Sequence, residues 1–162
     1  MNVKYQEMGF QPLAPRIWVF PAEKEPISSD VGLIEGENRL YLFDVGCGER
    51  SRKALQTVLK GEVREGCAVL SHFHRDHIEN LDEIPVRKVF AGAHTQKYLR
   101  EGRKTECIVV NRTIVWSDGV ELTFFPIPSS HAKGSIGLMV DQTFCLFGRC
   151  RLSGESCREN GL

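Results

Sequence analysis

Three of the chain's five histidines fall between residues 72 and 77, in the run Ser71-His72-Phe73-His74-Arg75-Asp76-His77. In an extended chain, side chains two apart share a face, so His72, His74 and Asp76 would point the same way. A helix starting near Asp76 would swing His77 round to a second position close by. Two imidazoles on one side, with a carboxylate and an imidazole on the other, can hold two adjacent divalent ions; the donor types suit zinc, and also iron or manganese. A lone His-x-His is commonly a surface or turn pair. Three histidines and an aspartate within six residues, directly after a buried apolar strand, point instead to metal. A further ligand must come from elsewhere, and His131 is the candidate, because it follows a strand end just as His72 does. His94 has no ligand partner four residues on and is assigned a structural or surface role.

The flanking sequence alternates strands and helices. Residues 17–20, 31–36 and 39–45 read as strands, the last two joined by the turn Gly36-Glu37-Asn38. Ser51 reads as an N-cap, followed by Ala54, Leu55, Val58 and Leu59 on one helical stripe and by Gly61 as a stop. Residues 67–71 form an apolar strand that runs into the histidines. Residues 88–91 read as a strand and 94–100 as a helix. Strands are expected at 106–110, 113–116 and 120–127, and a hairpin over 135–140 and 143–147 around Asp141-Gln142.

Composition narrows the classes. The 162 residues carry 21 Lys+Arg and 21 Asp+Glu, a net charge of zero, which argues against a nucleic-acid binder using a broad basic face. No stretch is apolar and long enough to span a bilayer, and the N-terminus lacks a signal-peptide core. Six scattered cysteines do not make a disulfide scaffold, so reduced thiols in a cytoplasmic protein are expected. Cys145, Cys150 and Cys157 lack the paired spacing of a thiolate zinc site. Residues 149–162 hold three arginines, two glutamates and no strand or helix period, and read as a disordered tail after a domain spanning 1–148.

His72-Phe73-His74-Arg75-Asp76-His77 resembles the HxHxDH signature of the metallo-beta-lactamase fold superfamily. Asp44-Val45-Gly46 is similar to that family's step before its first helix, and Pro128 to Gly137 to the loop carrying its third motif. The resemblance covers residues 17 to about 148 and implies an α/β fold, an αββα sandwich with metal at one edge. It implies His72, His74 and His131 on a first metal, Asp76 and His77 on a second, and Asp44 steadying the site from behind; a turn or helix-capping role for Asp44 is the competing reading. The implied activity is a metal-dependent hydrolase acting through activated water, with Asp76 catalytic, on an ester, thioester, amide or phosphodiester of a small-molecule substrate.

The match has departures. Asn80 stands where the family has glycine, a change tolerated because Asn adopts left-handed backbone. Ser129-Ser130 replaces Pro-Gly. Arg149 stands where the family has a bridging aspartate. A guanidinium cannot ligate a metal, and each unit-charge pair it forms with a dication at roughly 4 Å contributes on the order of 4 kcal/mol of repulsion at an effective dielectric of about 20. The second half of the sandwich is expected to be incomplete. Dropping one base from a GGN-CGA-TGC-CGN reading of Gly148 to Arg151 restores Gly-Asp-Ala, so a frameshifted or truncated end is the expectation. Two other functions compete with the hydrolase: a non-catalytic module holding one metal, and an S-adenosylmethionine-dependent methyltransferase using the glycines of Asp44-Val45-Gly46-Cys47-Gly48.

Overall fold

A computed structural model describes residues 3–100, 105–128 and 131–148. The helices are α1 (Val3–Glu7), α2 (Glu49–Lys60), α3 (Arg75–Ile78) and α4 (Ala93–Gln96), with a 3-10 turn at Glu79–Glu83. The strands are β1 (Gln11–Ala14), β2 (Ile17–Phe20), β3 (Glu23–Lys24), β4 (Ile27–Ser28), β5 (Val31–Glu35), β6 (Arg39–Phe43) and β7 (Glu65–Leu70). They continue with β8 (Val86–Ala91), β9 (Glu106–Val109), β10 (Ile114–Ser117), β11 (Glu121–Ile127), β12 (Ser135–Val140) and β13 (Phe144–Leu146).

Among the described residues, one sheet runs in the order β1-β2-β5-β6-β7-β8-β9 and a second in the order β10-β11-β12-β13. The first is mixed: β1, β2, β5 and β6 pair antiparallel, whereas β6, β7, β8 and β9 are parallel, and β3 and β4 form a separate hairpin. The parallel strands are apolar on both faces because both are covered. Leu40, Leu42, Ala68, Leu70, Val89 and Ala91 face one core together with Leu55 and Val58 of α2. Their neighbours Tyr41, Phe43, Cys67, Val69 and Phe90 face a second core with Leu122, Phe124, Ile136 and Leu138 of the opposing sheet. Period two thus sends alternate residues of each strand into different cores.

Several boundaries differ from expectation. Gly48 is the N-cap of α2, and Ser51 lies one turn inside, its hydroxyl donating to the Cys47 carbonyl at 3.0 Å. The helix expected over 94–100 is the short α4. Asp141 and Gln142 do form the hairpin turn, both with positive φ. Asn80 is not in left-handed backbone; it is buried, and its amide donates to the Val45 carbonyl at 3.1 Å and to Ser51 Oγ at 2.9 Å. The residue is there to tie the loop before α2, not to relieve a turn. Cys47, Cys67 and Cys107 are free thiols. Cys145 is disulfide-bonded, which corrects the expectation of reduced thiols at that position. The tail 149–162, including Arg149, and Ser129-Ser130 lie outside the described residues.

Candidate metal centre

The site forms where the parallel strands end. After β6 the chain enters Asp44, whose φ of 58° is a left-handed conformation that Asp accepts better than most residues. Its backbone N–H still donates to the Val69 carbonyl at 2.8 Å, and its carboxylate turns inward at 1% exposure. There the Ser71 N–H donates to Oδ1 at 2.8 Å, and the Ser71 hydroxyl and His77 Nδ1 lie 2.7 Å from Oδ2. A buried charge is tolerable only when so satisfied. The Asp44 carboxylate thus meets Ser71 and His77, while the N-cap of α2 is Gly48 with no side-chain capping bond.

His72 follows Ser71 and is 2% exposed, its Nδ1 2.9 Å from Ser71 Oγ. Extended backbone at His74 (φ −66°, ψ 145°) carries the next imidazole to the same side, and α3 then begins at Arg75. That one turn, closed by the His77 N–H donating to the His74 carbonyl at 3.0 Å, brings His77 back beside His72, ring centroids 4.0 Å apart. Burial alone would lower the His77 pKa; the hydrogen bond and charge of Asp44, with the charge of Asp76, outweigh it and hold the imidazole above its ordinary value. Asp76 Oδ2 lies 3.3 Å from His77 Nε2.

His131 reaches the cluster from the other sheet. The Ile136 N–H donates to the Ser71 carbonyl at 2.8 Å, joining the start of β12 to the end of β7. Gly134, at φ +73°, packs its backbone directly against Gly92, where no side chain would fit. These two contacts bring the three rings together, with centroid separations of 4.7 Å (His72–His74), 4.7 Å (His74–His131) and 5.2 Å (His72–His131). One ring nitrogen from each lies within 4.8 Å of the others.

Three imidazoles converging on one point are the donor set of a zinc or iron site. Ligands of a tetrahedral ion with bonds of roughly 2.0–2.1 Å sit about 3.3 Å apart, so each nitrogen would move inward by less than about 1 Å. The residues present fit one ion. Asp76 and His77 make a second pair, with His77 Nδ1 already held by Asp44. No group of three or more potential ligands among the described residues includes either. His94 lies outside the cluster, in contact with aromatic rings instead.

A family model for the metallo-beta-lactamase superfamily matches residues 25–138. The chain belongs to the metallo-beta-lactamase superfamily. Solved structures agree in fold. A flavodiiron protein from Giardia intestinalis superposes with a TM-score of 0.65 at 14% identity, covering 83% of this chain and 38% of that one. A metallo-beta-lactamase from Pontibacter korlensis gives 0.65 at 14% identity, over 83% and 67%. A stereoselective inverting sec-alkylsulfatase from Pseudomonas sp. gives 0.61 at 18% identity, over 88% and 32%. The chain thus spans about a third to two thirds of the length of these proteins. No curated protein matches it.

The glycines once open to a cofactor reading serve this fold differently. A Cβ at Gly46 would come within 2.7 Å of Ser28 Oγ, and one at Gly48 within 2.8 Å of Pro26. They make room for the β3–β4 hairpin, which displaces the methyltransferase reading. An open hollow of about 570 Å³ between that hairpin and α2 is lined by two ion pairs, Arg50 with Glu23 at 3.3 Å and Lys53 with Glu49 at 2.6 Å, and by Glu25. No helix among the described residues is long and apolar enough to cross a membrane. Sequence reasoning missed Ser71, whose hydroxyl lies between Asp44, His72 and His77; a lone serine after a strand carries no signal of that role.

Proposed function

We propose that this chain is a metal-dependent hydrolase centred on His72, His74 and His131. The observation that carries the reading is the approach of their ring nitrogens to within 4.8 Å of one another. Zinc is the metal proposed, with iron, named in the flavodiiron relatives, and manganese as alternatives. When bound, such an ion supplies Lewis-acid activation of water, whose pKa falls to about 7. The protein's own part is positional. His72 is fixed through Ser71 by the buried Asp44 carboxylate. Asp76, partly exposed beside the cluster, accepts a proton at its carboxylate and orients the attacking water toward a small-molecule ester, thioester, amide or phosphodiester.

One observation favours a second reading, a mononuclear binding module without turnover: among the described residues, only the three histidines make a full ligand set. Measuring zinc by mass spectrometry alongside hydrolysis of an aryl ester, a thioester and a phosphodiester separates the two. About one zinc per chain, with turnover that Asp76→Ala abolishes while zinc is retained, is the expected result. Tight zinc without turnover would favour the module, and failure to bind zinc would overturn both. Location in the cytoplasm and a small-molecule partner belong to this proposal.

A further inference from the structure

Beside the imidazole cluster stand two aromatic rings that take no part in either hydrophobic core. Phe73 lies between two of the histidines in sequence, and its ring meets that of His74 edge-on at 4.8 Å. Tyr98 stacks on Phe73, with centroids 4.4 Å apart and planes 12° from parallel. His94 brackets the pair, 5.1 Å from Phe73 and 5.5 Å from Tyr98. Tyr98 is nevertheless 54% exposed.

The arrangement is not what core packing requires. Rings that serve stability are buried, whereas this pair keeps apolar area in water at the rim of a candidate catalytic centre. It is also fixed in place. The stack restrains Tyr98, and a Cβ on Gly134 would come within 2.8 Å of the His94 Cβ, so His94 is wedged against the loop that carries His131. A preorganised aromatic surface loses little freedom when a ligand settles on it.

We infer that the Phe73–Tyr98 stack is the recognition surface for a planar aromatic group of the substrate, with the reacting bond then lying over His72, His74 and His131. This rests on the hydrolase reading for the role of the histidines, but not for the stacking itself. A planar group extends the stack over Tyr98 and gains both area and ring–ring attraction, whereas a saturated ring of similar size gains only area.

The test is an NMR titration of the full chain, zinc-free and zinc-loaded, with phenylacetate, cyclohexylacetate and acetate as probes. The Phe73 and His94 ring resonances report binding. Phenylacetate is expected to bind about 3- to 10-fold more tightly than cyclohexylacetate in both forms, the range a single ring–ring contact supplies, and more tightly still than acetate. Tyr98→Ala should bring the three probes to parity, Tyr98→Phe should keep the preference, and Val115→Ala, exposed on the other sheet, should leave it alone. Equal binding of phenylacetate and cyclohexylacetate, no detectable binding of either, or a preference that survives Tyr98→Ala would overturn the inference. An aryl preference in a protein that takes up no zinc would sink the hydrolase reading alone. Zinc uptake without an aryl preference would sink only the inference.

Discussion

Two imidazoles only twenty residues apart in the chain, His74 and His94, separate cleanly by what they touch. His74 shares a nitrogen cluster with His72 and His131, whereas His94 touches Phe73 and Tyr98. His74→Ala should therefore weaken zinc binding by about 100-fold or more, since even indirect supports of metal ligands are worth 10- to 100-fold. His94→Ala keeps the backbone and Cβ that pack against Gly134 and removes only a ring outside the cluster, so it should leave zinc affinity within about 2-fold. Competition with a chromophoric chelator measures both, and equal losses would contradict the ligand set. Asp44 acts one bond further back. Asp44→Ala takes the carboxylate away from the Ser71 N–H and His77 Nδ1 in a buried pocket, and should cost about 3–5 kcal/mol of folding free energy, the usual penalty for breaking a buried charged pair. Urea denaturation reads it, and a loss near zero would mean that the pocket admits water.

At the scale of elements, a buried carboxylate also joins the two sheets. Asp118, in the turn between β10 and β11, accepts from the Asn38 N–H at 2.9 Å, from its amide at 2.8 Å and from the Tyr41 hydroxyl at 3.1 Å. Burial alone would raise its pKa; these hydrogen bonds and the charge of Arg39 outweigh it and hold it below the usual carboxylate value. Such a group adds stability that is fully present above the unfolded pKa of about 3.9 and is lost as pH falls through the lower folded value. Urea midpoints should show wild type losing stability on acidification in that window while Asp118→Asn loses less; parallel curves would remove Asp118 from the account. None of this network was legible beforehand, because it pairs turns eighty residues apart. What was legible is local: the apolar runs of β6, β7 and β8, the stripe of α2, the Asp141-Gln142 turn and the His72/His74 spacing. The two-residue strands β3 and β4 hold too few positions to show a period, and α1 and β1 alternate too weakly. Asn80 shows a rightly noticed residue explained by the wrong cause, since its amide carries the function and its backbone is ordinary.

For the whole molecule, the decisive feature is that the proposed ligand set spans both sheets. His72 and His74 follow β7, and His131 precedes β12, with one backbone hydrogen bond from Ile136 to Ser71 binding the two strand ends there. An ion held by all three would tether one layer of the sandwich to the other and would bind only when both are folded. Its binding energy then appears as folding stability. Zinc at about 100 times its dissociation constant should stabilise the chain by about 2.7 kcal/mol, a rise of roughly 5–10 °C in Tm for a chain of this size. A chelator should reverse the rise. His131 is exposed, so His131→Ala should barely alter the Tm of the zinc-free protein while abolishing the zinc-dependent increment. Differential scanning calorimetry of wild type and variant, each with zinc and with chelator, gives the four values needed. If the increment persists in His131→Ala, the ion is held within one sheet alone, by His72 and His74 with Asp76 or His77, and the bridge between layers is carried by Asp118 and the cores without it.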